Sequence, residues 1–170
     1  MPQSQIMSNQ STSSQVFDLL EGTWIGEGRG EFPTVTSFDY RETPTFTRRD
    51  EKTLAYEQRT QKRYDGQTEY LESHWENGFI RILEKDDLEL VNAQIGRSEV
   101  LAGSIESMDA MFRIHFVSKT ITNDPRMLSS ARIFELEGES LRYEMEMQTT
   151  AVNQSTSHLK IALQRIKHQD

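Results

Sequence analysis

The chain has 170 residues, a formal net charge of −8 and no cysteine. That length suits one domain with a sizeable core, and the absence of thiols excludes disulfides, zinc–thiolate sites and cysteine nucleophiles. An acidic balance with dispersed Lys and Arg argues against a nucleic-acid backbone as partner, and no run approaches the roughly 20 apolar residues of a membrane span. Residues 1–15 are rich in Ser and Gln and lack the basic start and apolar run of a secretory signal. A disordered tail and a cytoplasmic location are expected.

A short helical turn near residues 17–21 precedes the most distinctive stretch, which runs from Gly22-Thr23-Trp24 to Phe32-Pro33-Thr34. Its glycines at 22, 26, 28 and 30 fall on one face of an extended chain. Glycine in a strand marks a bend or a close approach by a ligand or another backbone. Trp24 suits the plug of one barrel end. A phosphate loop is excluded, because no Lys-Ser/Thr follows the glycines. Further strands are expected at 34–47, 53–64, 67–76 and 79–84. Leu88 and Leu90 then share a face with Asn92 and Gln94, and strands follow at 99–105, around Phe112, Ile114 and Phe116, and at 131–136. Leu141, Tyr143, Met145 and Met147 alternate with charged or polar residues, as do Leu159, Ile161 and Leu163. Turn signals stand between them at Asp65-Gly66, Asn77-Gly78, Gly96, Asn123-Asp124-Pro125 and Glu137-Gly138.

Short strands at this spacing, joined by hairpins without a long crossover, predict an all-β fold. We expect an antiparallel up-and-down β-barrel of about ten strands, like a lipocalin or fatty-acid-binding protein, filling residues 16–170 as a single domain. A barrel of that size has room for one ligand.

Several segments together resemble the nitrobindin family of small haem-binding β-barrels. They are Gly22-x-Trp24-x-Gly26-x-Gly28, then Phe32-Pro33-Thr34-Val35, then Phe38-Asp39-Tyr40 before Glu42. His74-x-Glu76-x-Gly78-Phe79-x-Arg81 is similar to a hairpin of that family, and Leu90 to Gln94 with Gly96 and Glu99 to its central strand and turn. Met147 through His158-Leu159-x-x-Ala162-Leu163 is similar to its last two strands. The chain departs from the pattern at Phe32, where Tyr is usual, and at Val35, where Ile is usual. The loop 148–157 also lacks a Pro-Leu segment and is one residue longer.

The resemblance implies haem b held by His158 as the proximal iron ligand. It places Thr34 against the haem, His74 in the distal wall without binding iron, and Arg126 near the haem edge. Met147 is a further candidate to touch the cofactor, and Gln94 is expected to meet either the ligand or a backbone group. It further implies conversion of peroxynitrite to nitrate at ferric iron and reversible binding of nitric oxide at ferrous iron. Strict alternation turns His158 away from the face of Leu159, Ile161 and Leu163. A ligand role therefore needs a bulge at the strand start, or a haem lying at the barrel mouth. His115 is expected on the surface and His168 in a fraying C-terminus, neither of them a site. Met145 and Met147 read as core, and Gln94 must find a hydrogen-bond partner on its apolar face. The acidic runs 84–87 and 135–139 read as solvated turns. A distal wall poor in acids and bases is expected, which disfavours a peroxidase. Two rival readings are a lipocalin-like carrier of a small apolar ligand and a nitric oxide sensor or store acting through a homodimer.

Overall fold

The computed structural model describes residues 10–84 and 86–167. One helix, α1 (Thr12–Leu20), leads into ten strands: β1 (Gly22–Phe32), β2 (Val35–Asp50), β3 (Thr53–Tyr64), β4 (Leu71–Ile82), β5 (Leu88–Gln94), β6 (Arg97–Met108), β7 (Met111–Thr122), β8 (Met127–Glu137), β9 (Ser140–Thr149) and β10 (Val152–Arg165). Each strand pairs antiparallel with the next, and β10 returns to β1, so the sheet closes with no free edge. The expected up-and-down barrel is therefore the fold. Alternate residues of each strand point inward, as Leu141, Tyr143, Met145 and Met147 do on β9. Among the described residues no helix is long and apolar enough to cross a membrane.

One expected turn is not there. Asn77 and Gly78 lie inside β4, so the anticipated strands 67–76 and 79–84 are a single strand. Gly78 pairs with Tyr56 on one side and Asn92 on the other, and a Cβ there would collide with the Val91 carbonyl. This glycine serves close backbone approach rather than chain reversal. The β3–β4 connection instead carries Asp65-Gly66, with Gly66 at φ 84°.

The glycines of β1 make room for rings. A Cβ on Gly28 would lie 2.8 Å from Cζ of Tyr40, and one on Gly30 would overlap the ring of Phe38. Both aromatic side chains come from β2 and lie across β1, which no strand bearing side chains on that face could allow.

The helix closes one end of the barrel. Ser11 caps it by accepting the Ser14 N–H at 3.3 Å, and Asp86 accepts the Ser13 N–H at 2.9 Å. Val16, Phe17 and Leu20 are fully buried beside Trp24, whose Nε1–H donates to the Leu20 carbonyl at 2.9 Å. Arg165 lies over the indole at 4.4 Å and donates to the carbonyls of Leu19 and Glu21, at the helix C-terminus. The expected short turn at 17–21 is thus a longer helix. Of the expected tail, residues 1–9 lie outside the described residues, whereas residues 12–15 are helical and Ser13 is buried. Three apolar residues at helical spacing suffice for this plug, and the Ser and Gln around them conceal it. Asp86, expected in a solvated turn, is one of the helix's anchors.

Candidate functional site

The other end of the barrel opens onto a cavity of about 480 Å³. His158 reaches it through a bulge. In the ladder between β9 and β10, Ser157 pairs with Glu146 and Leu159 with Met145, which leaves His158 as one extra residue. The bulge removes the alternation problem, since His158 and Leu159 both border the cavity.

The imidazole is held from several sides. Its Nδ1 lies 3.1 Å from the Glu31 carbonyl, and the rings of Phe32 and Phe38 stand edge-on at 5.5 and 6.2 Å. Burial lowers its pKa below the usual 6.5. The hydrogen bond to Glu31 opposes that shift, and the nearby charge of Arg97 adds to it. The ring is therefore neutral at pH 7. With Nδ1–H donating to the carbonyl, the lone pair sits on Nε2. Among the described residues Nε2 has no hydrogen-bond partner. That is the donor set of an axial haem ligand.

All six residues expected to contact a cofactor border the cavity: His158, Thr34, His74, Gln94, Met147 and Arg126. Their environments differ. Met147 is buried beside Met145, giving the wall a soft apolar surface. Gln94 donates to Asn92 Oδ1 at 3.3 Å and to Glu99 Oε2 at 3.2 Å, so its partners are protein groups. His74 Nε2 lies 3.3 Å from Glu76 Oε2. Thr34 is exposed in the β1–β2 turn, and Arg126 is exposed at the mouth, bonded to Asp124 at 3.0 Å. His115 is on the surface as expected, and His168 lies outside the described residues.

The inner end of the cavity overturns one expectation. Instead of a wall poor in acids and bases, it carries Glu42, Glu76 and Arg97, and behind Glu76 lies a buried charged cluster. Arg132, only 2 % exposed, pairs with both oxygens of Glu76 and, at 3.1 Å, with Glu99. Glu99 also accepts from Arg97 at 3.1 Å and from Ser130 at 3.0 Å, and Tyr56 donates to Glu76 at 3.1 Å. Burial pushes the Glu76 carboxyl up, but Arg132 and the His74 hydrogen bond more than offset this and hold it well below the carboxylate range. Burial likewise raises Glu99, and Arg132 and Arg97 bring it below its usual value. Glu42 also borders this end, as does Lys62 nearer the mouth. Lys62 rests over the rings of Phe38 and Tyr64 at 5.7 and 5.1 Å.

A signal for the cluster exists in the sequence. Arg132 keeps step with Phe134 and Leu136, Glu42 with Phe38 and Tyr40, and Glu76 with Ile80 and Ile82. A charged residue in the inward register of a strand is a candidate buried ion, and strict alternation identifies it. Arg132 also bears on the carrier reading, which wants a deep cation for an anionic ligand. Its guanidinium is already committed to two carboxylates.

Comparison with known proteins places the chain in a family. A family model described as "THAP4-like, heme-binding beta-barrel domain" matches residues 14–165. A protein named peroxynitrite isomerase 1 from Mycolicibacterium paratuberculosis is 34% identical over 151 residues, covering 86% of this chain and 90% of that one. A peroxynitrite isomerase from Nocardia farcinica is also 34% identical, covering 86% of each. The crystal structure of Rv2717c from M. tuberculosis superposes with a TM-score of 0.80 at 25% identity, covering 94% of this chain and all of that one.

Proposed function

This chain belongs to the family of THAP4-like haem-binding β-barrel domains, and we propose on that premise that it binds haem b and acts as a peroxynitrite isomerase. The observation that carries the reading is the bulge that delivers a neutral His158 to the cavity with Nδ1 locked to the Glu31 carbonyl. In this reading His158 would hold the iron through Nε2. Phe32, Phe38, Met145, Met147 and Leu159 would supply the apolar lining that holds a macrocycle out of water, and Lys62 and Arg126 at the mouth would offer positive charge to its carboxylates. When bound, the iron would supply Lewis-acid chemistry, toward peroxynitrite in the ferric state and nitric oxide in the ferrous state. His74 lines the wall without binding iron, since its Nε2 is engaged by Glu76. The proposal further holds that nitrate is the product and that the protein works in the cytoplasm.

Titration with hemin tests the reading. The parent should form a one-to-one complex with a sharp Soret band and speed peroxynitrite decay toward nitrate. His158→Ala should bind ferric haem far more weakly, and His115→Ala should bind like the parent. Equal binding by all three would sink the assignment of His158.

A further inference from the structure

The ions at the inner end of the cavity balance. Glu76 and Glu99 are matched by Arg132 and Arg97. A third carboxyl, Glu42 on β2, is left over. It is 1 % exposed and borders the cavity, and no Lys, Arg or His among the described residues comes within ion-pair distance of it. Its Oε1 accepts from Gln58 Nε2 at 3.0 Å and from Thr60 Oγ1 at 3.2 Å. Its Oε2 is buried with no partner among the described residues.

The surrounding elements supply no missing cation. On β1 the residue opposite Glu42 is Gly26, and on β3 it is Thr60. Tyr40 shares its face on β2, Glu76 and His74 lie on β4, Glu99 on β6, Arg132 on β8 and Tyr143 on β9. Lys62, further along β3, is turned over the rings of Phe38 and Tyr64. A carboxylate this deep without a counter-ion takes up a proton rather than remain charged.

We propose that Glu42, in the lining of the inner end of the cavity, stands as a neutral carboxylic acid that carries its proton on Oε2 and donates a hydrogen bond from it to a small oxyanion bound there. The first half concerns the protein alone, while the oxyanion rests on the function proposed above. Two accepted hydrogen bonds suit the carbonyl-like Oε1 and leave Oε2 to carry the proton. A neutral acid can approach an anion that an ionised Glu42 would repel. Burial above all, and then the charge of Glu76, push Glu42 up to about 8, with Thr60, Arg132 and Gln58 drawing it only part of the way back. The donor is thus present at neutral pH and is lost as pH rises through that value.

Infrared spectroscopy of the cofactor-free protein tests the protonation. At pH 7 the parent should show a carboxylic-acid C=O band, sensitive to deuterium, that fades as pH rises through about 8. The band should be missing from Glu42→Gln. A parent without the band at pH 7, or a Glu42→Gln variant that retains it, overturns the proposal. The titration of the parent band stands even if the variant fails to fold. A second arm uses nitrite as a stable oxyanion and hemin-loaded ferric protein. Affinity for nitrite should fall by up to about tenfold in the parent between pH 7 and pH 9, as the proton on Glu42 is lost around pH 8, and much less in Glu42→Gln, which keeps a neutral donor. Identical pH profiles would refute the oxyanion contact. Failure to load hemin would count against the haem reading and leave the infrared result to decide Glu42.

Discussion

At the helix end the barrel is filled by Val16, Phe17, Leu20 and Trp24, a wholly apolar plug, whereas at the open end the inward positions carry Glu42, Glu76, Glu99 and Arg132. Both ends obey the same alternation, and both are built on the same long strands. They differ in what their burial achieves. The plug contributes stability through apolar area removed from water. The charged cluster costs desolvation, which its internal pairing largely offsets.

Separating the two ends by mutation should be straightforward. The largest effect should come from Arg132→Met, which strands Glu76 and Glu99 without their shared cation. We expect a loss of about 3–5 kcal/mol in denaturant unfolding. Adding Glu76→Gln and Glu99→Gln to that variant should recover most of it. A triple variant as weak as the single one would mean that the cluster stabilises the fold outright. At the opposite end, Phe17→Ala should cost roughly 3–4 kcal/mol by leaving a cavity under the helix. It should not alter hemin affinity per folded molecule, so a shared loss of both would show the ends to be coupled. Gly30→Ala, which sets a methyl against the Phe38 ring, should cost about 1–3 kcal/mol. Because Phe38 also flanks His158, this variant should weaken hemin binding as well.

Much of this was legible in the amino-acid pattern. The alternation of β9 and β10, the inward stripe of glycines on β1 and the isolated His158 all point to a closed barrel with one open mouth. Two features were hidden for opposite reasons. Asn77-Gly78 carries the strongest of short turn signals, yet tertiary pairing on both sides draws it into β4. The buried cluster is marked only by charged residues standing in the inward register of their strands, a signal easily passed over because a charged residue in a strand is ordinarily solvated. Only the identity of its partners on distant strands makes burial tolerable. The bulge at His158 was one of two ways the sequence left for this residue to reach the cavity, and the pairing of β9 with β10 selects it.

Smaller effects refine the contrast through pH. The folded pKa of His158 lies below the 6.5 of an unfolded imidazole, so its contribution is complete above that value. As pH falls, the unfolded chain gains a proton that the folded site refuses, and stability and hemin affinity both decline. Glu76 and Glu99 are depressed carboxyls, so their contribution is present above about pH 4.5 and is lost as pH falls further. Hemin titrations and melting curves at pH 7, 6 and 5 should show affinity falling before the fold does. The reverse order would place the more acid-sensitive group in the cluster. His115→Ala, on the outer surface, should change stability by under about 0.5 kcal/mol, and a larger loss would reveal a contact absent from this barrel.

The pairing of β1 with β10 has a consequence for how the protein folds. Every other strand pair joins neighbours along the chain, so it can form as a local hairpin with a short loop to close. The seam between β1 and β10 alone must bring together the two ends of the barrel. Glu31 and His158, hydrogen-bonded across it, are 127 positions apart. The site therefore comes into existence only with ring closure. A chain with every hairpin formed but its seam unzipped would hold nearly all its strands and have no positioned imidazole, so ligand binding reports the final cooperative step of folding, and a bound ligand would act as the clasp that keeps the ring shut.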